Sequence, residues 1–255
     1  MKNLSNNIIK NICNGTIIFL SLFILGIVLL IGSCAKKDDS TDATTAAAGN
    51  VSGITASGTI SGIDNLTGTF NMSWVGEEPS GGCINDSSAL TELSDAIPSG
   101  TLGFKKQIII TSSTSFTQSM QYYSEASCAT MTGHMNFLYK DFAVGDNISG
   151  LTAGSNPTKP TTANKVSYKE QSLAINCNTD ACTTFFNSTF GASALATLGY
   201  KQGTELVVSN SDSEVNIWET FIPINYTKTY LLTGSAAEST YPTDWSSSTG
   251  VFWQQ

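Results

Sequence analysis

The feature that most constrains the fold of this chain is an alternation of apolar and polar residues with a period of two. It is clearest where Leu66, Gly68, Phe70, Met72 and Trp74 alternate with polar residues. Successive side chains of a strand point to opposite faces, so the pattern predicts a strand with one buried face. Further strands are predicted at residues 101–111, 115–123, 135–142, 165–176, 204–209, 214–222 and 227–233.

Helical periodicity is confined to residues 87–96 and 191–198, and turn-rich segments separate the predicted strands. Residues 145–154 have the composition of a loop, and residues 210–213 that of a hairpin loop between the two strands that flank them. The sequence therefore predicts an all-β domain over residues 58–255. We expect an antiparallel β-barrel or a β-sandwich with one or two short helices.

The N-terminus predicts export. A polar segment with two lysines precedes an almost unbroken apolar run at residues 17–31, and the small residues Gly32 and Ser33 lead to Cys34. An apolar run of about fifteen residues is long enough for export but short for a membrane span. The segment resembles the signal peptide and lipobox of bacterial lipoproteins. The resemblance implies that residues 1–33 are removed and that Cys34 receives the lipid.

A retained transmembrane helix, a signal peptide without lipidation and a buried core helix are the alternatives for this run. The residues after Cys34 favour the lipoprotein. Two lysines and two aspartates follow almost directly, and residues 40–49 are rich in Thr, Ala and Asp without any apolar period. We therefore expect a lipidated cysteine and a flexible tether over residues 34–57. In the bacterial lipoproteins that the segment resembles, a residue such as Ala35 in place of Asp implies transfer to the outer membrane.

Charge and residue usage bear on the partners. The chain carries twenty acidic residues against twelve basic ones, for a net charge of −8, and all twelve are lysines. Arginine is the usual residue for phosphate and base-edge recognition, so we expect no nucleic-acid partner. Membrane contact is expected through the N-terminal lipid, since an acidic protein gains nothing from an anionic surface.

Cysteine usage agrees with an oxidising compartment. After lipidation of Cys34, an even set of four cysteines remains outside the signal peptide, namely Cys83, Cys128, Cys177 and Cys182. They allow three connectivities, of which we expect Cys83 with Cys128 and Cys177 with Cys182, the second pair closing a turn. The C-x-x-C spacing and clustered histidines of a zinc site are lacking, so we expect no metal and no other cofactor.

The first half of the predicted β domain resembles the lipocalin-like domains of bacterial lipoproteins. The resemblance covers the Gly-Thr-Phe…Trp strand at 68–74, Cys83, the strand pair around 102–116 and the Tyr…Cys turn at 123–128. It implies a barrel with a cup for an apolar ligand. The Asn-, Ser- and Thr-rich chain with its anchor also resembles spirochaetal surface lipoproteins.

The inward faces of small barrels are usually filled by side chains. We therefore expect Phe70, Met72, Trp74, Met120 and Phe137 to form core rather than to line a pocket.

Aromatic residues are concentrated in the last fifteen positions, where Tyr241, Trp245, Phe252 and Trp253 stand among Thr, Ser and Gly. Exposed, they would be a solubility liability, so the tail either packs on the domain or forms a contact surface. We expect packing. Trp245, Phe252 and Trp253 are the ligand-binding candidates for the second case.

Catalytic chemistry finds little support. His134 is the single histidine and is expected to be a surface residue or one with its hydrogen bonds satisfied. Neither a G-x-S-x-G elbow nor, after residue 34, an S-x-x-K motif occurs, so we expect no catalytic residues. The prediction is a lipid-anchored outer-membrane protein that acts as a binding or coat module for a small apolar ligand or a protein or host partner. The alternative is a secreted hydrolase that uses a carboxylate pair.

Overall fold

The computed structural model describes residues 54–62, 66–73, 80–152, 154–155, 158–159, 161–190, 202–209, 217–221, 230–233 and 250–254. The strands in these residues are β1 (Thr59–Ile60), β2 (Leu66–Thr67), β3 (Thr69–Ser73), β4 (Gly103–Ile110), β5 (Phe116–Tyr123), β6 (Met131–Ser149), β7 (Gly154–Ser155), β8 (Thr158–Lys159), β9 (Thr162–Cys177), β10 (Leu206–Ser209), β11 (Ile217–Phe221), β12 (Tyr230–Thr233) and β13 (Gly250–Gln254). The helices are α1 (Ser87–Glu92) and α2 (Asp180–Phe190), with a 3-10 turn at Ser80–Gly82.

Nine of these strands form one antiparallel sheet. Its order is β10-β9-β6-β5-β4-β3-β13-β12, and β11 also pairs with β9. Strands β3, β4, β5 and β6 are neighbours in both chain and sheet, whereas the last strand, β13, returns to pair with β3. Two further pairs, β1 with β2 and β7 with β8, are separate. The predicted all-β, antiparallel architecture with few short helices is confirmed.

Every predicted strand has an observed counterpart, with different bounds. The predicted strand at 66–74 is divided at Gly68, whose φ of 94° interrupts the extended chain between β2 and β3. The predicted loop at 145–154 is wrong in its first half, because β6 continues to Ser149. β6 pairs with β9 through three register shifts, and Asp141 has a φ of 55°. Such irregularities bend a ladder without ending it.

The predicted hairpin loop at 210–213 is wrong. β10 and β11 both pair antiparallel with β9, with Leu206 opposite Ile175 and Ile217 opposite Lys169. The other edge of β9 is occupied by β6, so β10 and β11 follow one edge in the same direction. The chain therefore continues along β9 where the sequence predicted a reversal, and residues 210–213 themselves lie outside the described residues.

The predicted helix at 87–96 is observed as the shorter α1. The carboxylate of Asp86 accepts hydrogen bonds of 3.0 Å from the backbone N–H groups of both Ser88 and Ala89. This is the bonding pattern of an N-cap. Ala89 and, after the helix, Leu93 are buried in the core, so α1 covers part of the sheet. The other predicted helix, at 191–198, lies outside the described residues.

The helix α2 was not predicted, since the residues between Cys177 and Cys182 were expected to form only a turn. Thr179 begins the helix, because its hydroxyl accepts a bond of 3.3 Å from the N–H of Cys182. Asp180 adds a negative charge in the first turn, where the helix dipole favours it. Phe186 is fully buried in the core and fixes the helix to the sheet.

Both expected disulfides are confirmed. The Cys83–Cys128 bond spans 45 residues, with a Cα–Cα distance of 6.0 Å, and ties the segment before α1 to the turn between β5 and β6. It passes over Gly103 at the start of β4, where a Cβ atom would lie 2.7 Å from the sulfur of Cys128. Any larger residue at position 103 would displace the bond. On loop entropy a bridge of this length stabilises by roughly 4 kcal/mol.

The Cys177–Cys182 bond spans five residues and joins the end of β9 to α2. It too passes over a glycine, because a Cβ atom on Gly133 of β6 would clash with the sulfur of Cys182. Loop entropy assigns this short bridge only roughly 2 kcal/mol. Its structural consequence is to hold α2 against the sheet.

One face of the sheet, the core face, carries the hydrophobic core. On β4 it presents Phe104, Ile108 and Ile110, each buried. Phe70, Met120 and Phe137 belong to the same core, as expected, and Met72 packs against it while partly buried. Trp74 lies outside the described residues.

The C-terminal tail supplies a strand of the sheet rather than a separate lid. In β13, Phe252 lies opposite Met72 of β3 and Leu231 of β12, and only 3% of its surface is exposed. Phe252 therefore forms core and offers no exposed contact surface. Trp253 is paired in register with Asn71, and Trp245 lies outside the described residues.

Because Phe252 fills the core between β3 and β12, Phe252→Ala should destabilise the domain by about 3–5 kcal/mol. In a domain of this size that corresponds to a loss on the order of 10 °C in melting temperature. The matched control is Val207→Ala, since Val207 is 54% exposed. Equal melting temperatures for the two variants would contradict the placement of β13.

Candidate ligand-binding site

The core face carries a row of aligned side chains that contains a lysine. Lys106 of β4 lies opposite Met120 of β5, which lies opposite Met135 of β6, which lies opposite Ile175 of β9. Lys106 stands between Phe104 and Ile108 in the alternation of β4, so its side chain starts on the core face with theirs. The row thus places an ammonium group among thioether and aliphatic groups.

The next row along the strands contains a glutamine. Gln118 lies opposite Ile108 on one side and Phe137 on the other, and Phe137 lies opposite Leu173. On β3 this row is continued by Phe70, which pairs with Ile108. Gln118 and Lys106 are diagonal neighbours on adjacent strands, a spacing of roughly 7–8 Å that a lysine side chain can span.

Three neighbouring residues on the core face retain accessible surface, although the methionines beside them are buried. Met72, Lys106 and Gln118 are each partly buried, whereas Met120 and Met135 are at most 5% exposed. Burial nevertheless lowers the pKa of the Lys106 ammonium to about 8. A side chain that is surrounded by protein and still accessible borders open space within the fold. We infer that Met72, Lys106 and Gln118 border one such space, which we call the Lys106 hollow.

The polar groups of the hollow lack partners among the residues that the structure describes. Among the described residues, neither the ammonium of Lys106 nor the side-chain amide of Gln118 has a hydrogen bond or ion pair within the protein. The hydroxyl of the nearby Tyr122 is buried without a partner, and burial raises its pKa. Polar groups that are surrounded by protein are usually paired, so we infer that these groups mark a site for another molecule.

Aromatic clusters bound the hollow at both ends. Beyond the lysine row, the rings of Phe104 and Tyr122 lie 5.8 Å apart, and Tyr122 meets Phe186 of α2 at 6.1 Å. Beyond the glutamine row, the ring of Phe116 lies 4.7 Å from Tyr139 and 5.0 Å from that of Tyr168. The two polar residues therefore lie between two packed aromatic clusters.

The opposite face of the sheet differs, because several of its polar groups are paired with one another. Gln107 donates to Asn71 at 2.7 Å, and Gln121 donates to Gln107 at 3.0 Å. Lys105 lies on this face, with its ammonium 5.9 Å from the ring centre of Tyr123. These side chains therefore form a network of contacts within the protein.

His134 belongs to that opposite face and is buried, not a surface residue. Its Nε2 lies 3.3 Å from a carboxylate oxygen of Glu205, so it is a histidine with a hydrogen-bond partner. Burial lowers the pKa of His134, although Glu205 acts in the other direction. Glu170 is the single buried carboxylate among the described residues, and it contributes with burial to raising the pKa of Tyr139.

The predicted site residues differ in their outcome. The four cysteines form the two expected bonds, Phe252 is core, and Cys34 and Trp245 lie outside the described residues. No group of three or more metal-binding side chains occurs in the described ranges. Lys106 and Gln118 were not predicted, although two consecutive lysines in a strand necessarily point to opposite faces.

Comparison with known proteins adds no family. Neither a scan against models of protein families nor a search of curated proteins finds a match to this chain. Within the part of the chain that the structure describes, no helix has the length and apolar character needed to cross a membrane.

If the unpaired ammonium lies on the core face, Lys106→Met should stabilise the protein by an amount on the order of 1–3 kcal/mol at neutral pH. The folded-state pKa is lowered, so the unfolded chain binds more protons between pH 8 and 10.5, and wild-type stability should rise through that interval. The advantage of the variant should therefore shrink as the pH increases. Urea unfolding at several pH values measures this.

The matched control is Lys105→Met, on the opposite face of the same strand, which should change stability little. A Lys106→Met protein that is no more stable than this control at neutral pH would contradict the placement of Lys106.

Proposed function

We propose that this chain is an exported, lipid-anchored protein of the outer membrane whose β domain binds a small ligand and has no catalytic role. The signal-like segment at 1–33 and Cys34 support the anchor. The two disulfides support export, because such bonds persist in oxidising compartments. The lack of arginine and the net charge of −8 favour partners other than nucleic acid.

The finer fold that we propose is a lipocalin-like barrel. Its support is the strand order, in which an up-and-down meander begins at β3 and the last strand pairs back onto β3. The remaining opening lies between β11 and β12, whose Cα atoms approach within 8 Å. Core-face side chains from β3 through β13 also belong to one cluster. A nine-stranded sheet that is covered by two short helices buries one face most simply by curling around the core on that face.

The observation that carries the binding role is the placement of Lys106 and Gln118 on the core face without partners among the described residues. A coat protein needs only a filled core and a polar surface, and unpaired polar groups in the core would only reduce its stability. A binding protein gains from them, because they orient a ligand. The hollow therefore favours a binding module over a coat.

The anchor is tested by Cys34→Ser in the expressing bacterium. We expect wild type to enter the detergent phase with bound acyl chains, and the variant to lack acyl label, because the lipid attaches to the thiol of Cys34. Metabolic labelling with palmitate and detergent partitioning measure both properties. Cys13→Ser is the matched control, since Cys13 lies in the segment that would be removed. Acyl label on the Cys34→Ser protein would refute the anchor.

A further inference from the structure

We propose that the Lys106 hollow binds a short apolar molecule with one anionic group, a medium-chain carboxylate, whose charge pairs with Lys106 and Gln118. This inference rests on the proposed binding function and specifies its ligand class.

The charge of the ligand follows from the surroundings of Lys106. Lys106 is paired in register with Met120, which is paired with Met135, and the thioethers of such methionines are at best weak acceptors. A charge in such surroundings is costly until an opposite charge joins it. An uncharged ligand would leave the ammonium unpaired, and a cationic one would add repulsion. An anion satisfies it, and near neutral pH most Lys106 side chains remain protonated for this role.

The second polar group fits a carboxylate in particular. The side-chain amide of Gln118 can donate two hydrogen bonds, and no protein group among the described residues accepts them. A carboxylate has two oxygens that accept only, so one can face the Lys106 ammonium and the other the Gln118 amide. A phosphate dianion would bring a second negative charge for which the described part of the hollow offers no second cation.

The remainder of the ligand must be apolar and short. Its neighbours are methionines and Phe137, and methionine side chains adapt readily to the shape of an aliphatic chain. Rows on one face of a strand are about 7 Å apart, and the hollow occupies the two rows between the aromatic clusters. A chain of the length of octanoate suits this space, whereas a long-chain lipid would have to displace one of the clusters.

Octanoate and its uncharged methyl ester provide the test. The full-length protein in lipid nanodiscs is dialysed at pH 7 against each radiolabelled probe, with protein-free nanodiscs subtracted. We expect wild type to bind octanoate about tenfold or more tightly than the ester, which corresponds to one charge-assisted interaction. Lys106→Met should abolish this preference, whereas Lys105→Met, on the opposite face, should retain it.

A second measurement on the wild type needs no variant. Octanoate should slow acetylation of Lys106 by acetic anhydride, read by peptide mass spectrometry, while the ester and the Lys105 site show no such slowing. Equal binding of octanoate and ester would refute the preference for an anionic ligand, but it would agree with the proposed binding function of the hollow. Binding of neither probe would overturn both proposals. A preference for octanoate that survives in Lys106→Met would place the anion elsewhere and refute this inference.

Discussion

Pairing between β3 and β13 joins strands that are far apart in the sequence, and the interior depends on it. Asn71 and Trp253 are partners in this ladder, and the same register sets Phe252 opposite Met72 on the core face. Without β13, the edge of β3 would expose unpaired backbone groups, and Met72 would lose its neighbour in the core. The ladder therefore places Phe252 and Met72 beside the lysine row. Two disulfides strengthen the edge of the sheet where β4 and β6 begin and β9 ends, each passing over a glycine that leaves room for sulfur.

Two ways of burying polar groups coexist in this sheet. On the opposite face, Gln107 bonds to Asn71, and His134 lies beside Glu205, so the desolvation of these groups is offset by bonds within the protein. The Oδ1 atoms of Asn136 and Asn176 on that face are buried without a partner. On the core face, Lys106 and Gln118 are partly desolvated, and no group in the described part of the chain pairs with them. Proteins retain uncompensated polar groups mainly where function requires them, because a methionine at position 106 would complete the apolar row at lower cost. The hollow is the better candidate for ligand binding because its polar groups include a cation and keep accessible surface, whereas the unpaired oxygens of Asn136 and Asn176 are fully buried.

Local alternation predicted the core role of Phe70 and every strand except β1, β7, β8 and β13. The pairing of Cys83 with Cys128 was the expected one of the three that the four cysteines allow. The direction of β10 and β11 could not be predicted, since loop composition does not reveal whether a chain reverses. The helix α2 was missed because its residues have modest helix propensity and it is held by the core and by a disulfide. Lys106 was missed for a different reason. The run Ile108, Ile109 and Ile110 is apolar on both faces, so it hides which of the two preceding lysines points inward.

The central claim is that Lys106 is held, protonated and unpaired, inside the β domain. NMR titration of the protein with ¹³C-labelled lysine side chains tests it directly, with the Lys106 resonance assigned from its loss in Lys106→Met. The structure predicts that Lys106 titrates with a pKa of about 8, because burial disfavours its charge. Titration of Lys106 at 10.5, the ordinary value for a solvated lysine, would contradict the account.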